Sequence, residues 1–114
     1  MSDLLKKYDL IFSKENANGR SRHVARGGGL AEFLDSYTDQ ISISEGLESV
    51  NYNLNGGAPD YEHGTISSEL YTAWLNNHIA DIHSSTGNTE DLLQSIPLKD
   101  FRNILTLWKE FLKS

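Results

Sequence analysis

The sequence has no cysteine, two prolines and one methionine in 114 residues. Without cysteine neither a disulfide framework nor a thiolate metal site is available, so the fold must be held by packing and needs no oxidising compartment. No apolar run is long enough to span a bilayer. The first twelve residues, MSDLLKKYDLIF, interrupt their apolar positions with charges, unlike a signal peptide or a spanning helix. These features predict a cytoplasmic, single-domain protein over residues 1–114 that is large enough to bury a core.

A second deficit concerns charge of one sign. From Gly27 to Leu98 the chain contains neither lysine nor arginine, although the formal net charge is only -6. The same stretch holds Glu32, Asp35, Asp39, Glu45, Glu48, Asp60, Glu62, Glu69, Asp81, Glu90 and Asp91. A body of that sign repels nucleic acid and anionic lipid, and it attracts cationic surfaces over about 8 to 10 Å at physiological salt. Direct nucleic-acid and membrane binding are therefore disfavoured.

What is present reads mostly as helix. Leu4, Leu5, Tyr8, Ile11 and Phe12 share one face of a helical wheel, and Leu30, Phe33, Leu34, Tyr37 and Ile41 share another. Residues 13–29, with three arginines, Asn18-Gly19 and a glycine triplet, read as a flexible basic arm. Residues 41–57 fit a helix entered through a Ser42 to Glu45 capping box. The alternation of Val50, Tyr52 and Leu54 with asparagines also leaves room there for a short β-hairpin or an irregular segment. Tyr71, Trp74, Leu75, His78, Ile79 and Ile82 form an apolar stripe that predicts a long helix from Thr65 to about Ser84, with His78 as a core or interface histidine. Asn88 is a candidate cap for a short helix through Asp91 and Leu92. Pro97 suits the first turn of a final helix bearing Phe101, Ile104, Leu105, Trp108, Phe111 and Leu112. The expected fold is mainly α, a compact bundle of four to five helices.

Two local patterns carry possible chemistry. Arg20, Arg22, His23 and Arg26 precede the glycines of an expected helix N-terminus, which could hold an anion, but neither GxxxxGK[ST] nor GxGxxG occurs. The stretch NYNLNGGAPDYE, residues 51–62, resembles the ligand spacing of an EF-hand loop, with side-chain oxygens at its first, third and fifth positions, glycine at the sixth and Glu62 at the twelfth. It departs from that pattern at Asn51, where aspartate is usual, and at Pro59 and Gly64. No serine, histidine and acid stand at a spacing that predicts a catalytic triad. The chain reads as a binding protein, not an enzyme, with no catalytic residue, cofactor or metal assigned.

In size and charge the chain resembles small acidic immunity proteins that neutralise nuclease toxins and phage proteins that mimic DNA. That resemblance implies an inhibitor that occludes the basic cleft of a nuclease or another nucleic-acid-binding partner; His78 and the tryptophans leave either a monomer or a homodimer open. The expected contact residues are Glu32, Asp35, Tyr37, Asp39, Glu45, Glu48, Asp60, Tyr61 and Glu62, with Tyr52 as a further anchor. The alternative is a calcium- or small-ligand-binding regulatory domain that uses the loop at residues 51–62.

Overall fold

A computed structural model describes residues 2–58, 60, 62–84 and 91–114. The architecture is mixed α/β, which corrects the expected helical bundle. In chain order the described elements are α1 (Ser2–Lys7), β1 (Ile11–Ala17), β2 (Arg20–Arg26), α2 (Gly28–Asp35), α3 (Gln40–Leu54), β3 (Thr65–Ser67), β4 (Tyr71–Leu75), β5 (Ile79–Ser84), β6 (Asp91–Pro97) and α4 (Leu98–Leu112). Strands β1 and β2 form one antiparallel hairpin, and β3-β4-β5-β6 form an antiparallel sheet in sequence order.

The expected helix over residues 3–12 stops early. Asp9 takes a left-handed conformation at φ 54. Leu10 N then donates to Leu5 O at 2.8 Å and Asp9 N donates to Lys6 O at 3.1 Å. These two bonds make a Schellman ending, which satisfies the last carbonyls and turns the chain out of the helix. Ile11 and Phe12 therefore start a strand.

Residues 13–29 are not a flexible arm. Asn18 and Gly19 have φ values of 53 and 78, the paired positive φ of a type I′ turn whose twist suits two antiparallel strands. Pairing runs from Ala17 opposite Arg20 to Ile11 opposite Arg26. The glycine triplet then lets backbones approach closely. A Cβ on Gly27 would stand 2.0 Å from Asp9 O, and one on Gly29 would stand 2.5 Å from Leu93 Cβ.

The helix expected across residues 65–84 is three strands. Tyr71, Ala73 and Leu75 face the core from β4, as Ala80 and Ile82 do from β5. Between them Asn76 Oδ1 accepts from His78 N and Ile79 N, both at 2.8 Å, and so stabilises the reversal. His78 is exposed in that turn, not a core residue. Asp91 and Leu92 lie in β6 and not in a helix; Asn88 lies outside the described residues.

Helices α3 and α4 confirm their periodicity. Residues 41–57 contain no hairpin, because α3 runs to Leu54. Its cap is Asp39, whose carboxylate accepts from Ser42 N and Ser42 Oγ, each at 2.9 Å, in place of the expected Ser42 to Glu45 box. The other long segment, expected from Leu30 to Ile41, ends at Asp35. Tyr37 turns inward at 5% exposure, whereas Ile41 lies on the surface at 71%.

The core lies between the sheet and the helices. Leu30, Phe33 and Leu34 from α2, Ile43 and Val50 from α3, and Phe101, Ile104, Leu105 and Trp108 from α4 pack with Ile66, Ala73, Ala80, Ile82 and Ile96. Trp108 is fully buried. No helix among the described residues is long and apolar enough to cross a membrane.

Candidate acidic interface

The expected contact residues separate into structural carboxylates and surface carboxylates. Asp35 Oδ2 takes Arg22 at 2.9 Å while Oδ1 accepts Ala25 N at 3.0 Å, so this acid ties α2 to β2. Asp39 is held by the cap of α3, and its pKa is lowered by the hydrogen bonds from Ser42. Tyr37 is not a surface anchor: its hydroxyl donates to Ser42 O at 2.5 Å. Burial first, and then the charges of Glu45 and Asp39, push its pKa up to about 12. Glu32 lies apart on α2 beside Tyr71, whose pKa rises through burial and then through Glu32. Tyr61 lies outside the described residues.

Glu45, Glu48 and Glu62 do come together. Glu45 and Glu48 are three residues apart on the solvent face of α3, while Ile43, Gly46, Ser49 and Val50 face inward. Gly46 permits that packing, since a Cβ there would stand 2.4 Å from Tyr37 Oη and 3.2 Å from Ile66 Cδ1. Glu62 arrives from the segment before β3. With Ser49 and His63 the three glutamates line a depression of about 370 Å³. A second depression, about 230 Å³, shares Glu45, Ser49 and Glu62 and continues past Ser42 to Thr65 and Ser67.

The segment that presents Glu62 is fixed by hydrogen bonds and ring stacking. Helix α3 closes on Gly56, at φ 81, with Gly57 N donating to Tyr52 O at 3.0 Å. Asn53 Nδ2 donates to Ser49 O at 2.9 Å and His63 O at 2.7 Å. Asn77 Nδ2 reaches in from the β4–β5 turn to Asn53 O and Gly57 O at 2.8 and 3.2 Å. Tyr52 stacks on His63 with ring centroids 4.1 Å apart. Asp60 accepts from His63 N at 2.6 Å and lies 2.8 Å from His63 Nδ1, which lowers the Asp60 pKa.

This geometry separates the oxygens that the EF-hand resemblance would gather. Residues 51–54 are helical and Asn53 is turned into the core. Among the described residues no group of three or more histidine, aspartate or glutamate side chains is arranged to hold a metal ion. The other proposed ligand position is also engaged. At the start of α2, Leu30 N donates to Gln94 Oε1 of β6 at 3.0 Å, and Arg22 and Arg26 pair with Asp35 and Glu15.

Fewer carboxylates are thus available to a partner than the sequence total, because Asp35, Asp39 and Asp60 are engaged within the fold. Among the described residues, Glu45, Glu48 and Glu62 are in no ion pair, although Lys109 and Lys113 border Glu45 and Glu48 across a neighbouring depression that contains Ile41. Sequence reasoning missed the roles of Ser49, Asn53, Asn77 and His63. The helical spacing of Ile43, Leu47, Val50 and Leu54, stopped only at Asn55-Gly56-Gly57, was the available sign that the helix runs into the presumed ligand loop. No protein family, no curated protein and no solved structure matches this chain.

Proposed function

We propose that this chain is a small protein-binding inhibitor whose acidic face, centred on Glu45, Glu48 and Glu62, seats on a cationic cleft of a partner such as a nuclease or DNA-binding enzyme. The observation that carries the reading is the convergence of three exposed carboxylates from two elements, with none of them in an ion pair among the described residues. Like charges at this spacing on a helix cost stability. Placed opposite arginines and lysines they steer encounter and exclude polyanionic ligands from the same cleft. Inhibition then follows from occlusion, with no chemistry required of the chain.

Asp35 and Asp39 are poor probes of this reading because both hold the fold together. The test is affinity isolation from the producing cell, followed by binding measurements between the purified pair at several salt concentrations. A nucleic-acid-binding partner whose association slows by about tenfold or more with Glu45→Gln, Glu48→Gln and Glu62→Gln combined supports the reading. Binding that is unchanged by the triple substitution and insensitive to salt overturns it.

A further inference from the structure

Hydroxyl side chains inside helices usually bond back to the preceding turn. Ser44 Oγ in α3 donates to Gln40 O at 3.0 Å, and Thr106 Oγ1 in α4 donates to Arg102 O at 2.9 Å. Ser49 in α3 departs from that habit. It is only 9% exposed, and its carbonyl accepts from Asn53 Nδ2, yet among the described residues its hydroxyl has no hydrogen-bond partner. A buried hydroxyl in that state is costly unless a ligand engages it. Ser49 lines both depressions of the acidic face, and the residues common to the two are Glu45, Ser49 and Glu62. Glu45 precedes Ser49 by one helical turn, so their side chains are neighbours. Glu62 comes from the segment before β3, and both glutamates are exposed. The three residues thus combine a buried hydroxyl with two carboxylates at the rim.

We infer that Ser49, Glu45 and Glu62 form a socket for one lysine side chain of the cationic protein partner, with its ammonium donating to the Ser49 hydroxyl and to the two carboxylates. The inference rests on the proposed function for the sign of the partner's charge and adds the side chain that is read. An ammonium carries three N–H donors on one compact charge at the end of a flexible stem. Three acceptors, one of them buried below the other two, suit that shape. A guanidinium is a broad planar fork that pairs with a carboxylate at the rim and gains nothing from a single hydroxyl at the floor. A divalent cation is a poorer occupant, because among the described residues no three acidic or histidine side chains are arranged to hold one. The neighbouring charges leave the socket anionic: Glu48 borders the larger depression, and His63 there has its Nδ1 2.8 Å from Asp60.

Three N-acetylated peptides test the socket: hexalysine, hexaarginine, and hexalysine trimethylated on every Nζ. Trimethylation keeps the charge and removes the N–H donors. Hexalysine should bind more tightly than the other two and shift the backbone amide resonance of Ser49. Ser49→Ala should weaken hexalysine by about threefold to tenfold and leave the trimethylated peptide unchanged, and that unchanged binding also shows the variant to be folded. If the three peptides bind equally and ignore Ser49→Ala, but all weaken with the Glu45, Glu48 and Glu62 triple substitution, the lysine socket is overturned and the acidic interface stands. Tighter binding of hexaarginine than of hexalysine overturns the socket in the same way. Hexalysine binding that the triple substitution leaves unchanged, or no binding of any peptide at low salt, removes the socket and the acidic interface together.

Discussion

Trp108 Nε1 donates to the backbone carbonyl of Tyr37 at 2.8 Å, a buried bond between residues 71 positions apart. It joins α4 to the short connection between α2 and α3. The indole also lies 4.8 Å from the ring of Phe12 in β1. One side chain thereby links the hairpin, the connection and the last helix.

Trp108→Ala should cost about 3 to 5 kcal/mol, the range for emptying a buried aromatic site. Trp108→Phe should cost less from lost volume but still leave the Tyr37 carbonyl unpaired, at about 1 to 3 kcal/mol. Urea denaturation of the two variants measures both. Equal midpoints for Trp108→Ala and the native chain would contradict the burial of this residue.

The glycines of the N-terminal half should respond unequally. Gly19→Ala meets no atom within 4 Å but must keep φ 78, a strain of about 1 to 2 kcal/mol. Gly27→Ala is placed farther from the left-handed basin at φ 119 and adds a Cβ 2.0 Å from Asp9 O, so the loop between α1 and β1 must move. Thermal unfolding should show a modest loss for the first and a far larger one for the second.

Gln94→Ala should free the Leu30 amide at the start of α2, 64 positions away in the chain. Loss of a comparable helix cap costs about 0.5 to 2 kcal/mol. Gln94→Glu keeps the acceptor and adds a charge that suits the positive end of the helix, so it should be neutral or stabilising at low salt. Hydrogen exchange at Leu30 reads the cap directly, and unchanged protection in Gln94→Ala would contradict it.

Alkaline unfolding should depend on Tyr37. Its folded pKa is raised from 10.0 to about 12, so the phenol binds its proton more tightly in the native state. That stability is fully present below pH 10 and is lost as the pH rises from about 10 through 12. Tyr37→Phe, which cannot ionise, should flatten the part of the curve due to this residue. Tyr8, also raised to about 12 by burial and by its bond to Asp100, should sustain a further slope in the same window.

The sequence makes some of this molecule legible and conceals the rest for identifiable reasons. In α4, Phe101, Ile104, Leu105 and Trp108 put large apolar groups on every core-facing position, so the helical period stands out. In β4 and β5 two of the three fully buried positions are Ala73 and Ala80, small enough to admit the helices but weak as a hydrophobic signal. Trp74 and Ile79, both exposed, supply false members of a helical stripe. The Asn18-Gly19 dipeptide marks a turn, but the flanking strands, IFSKENA and RSRHVAR, carry too little apolar alternation to stand out as strands. For the candidate site, the acidic excess was visible in composition. The distinction between Asp35, bound to Arg22 and a backbone amide, and Glu48 on open helix surface exists only once the chain has folded.

The bond from Leu30 to Gln94 has a consequence for the order in which structure is completed. The amide belongs to the first third of the chain and its acceptor comes late, so during synthesis α2 emerges before the strand that seats it. Until β6 and α4 arrive, Leu30, Phe33 and Leu34 lack part of the surface against which they are later buried. The seating of α2 is therefore completed only when the far end of the sheet is made. Substitutions in β6 should consequently lower the yield of folded protein made in cells more than they lower the stability of molecules that have already folded.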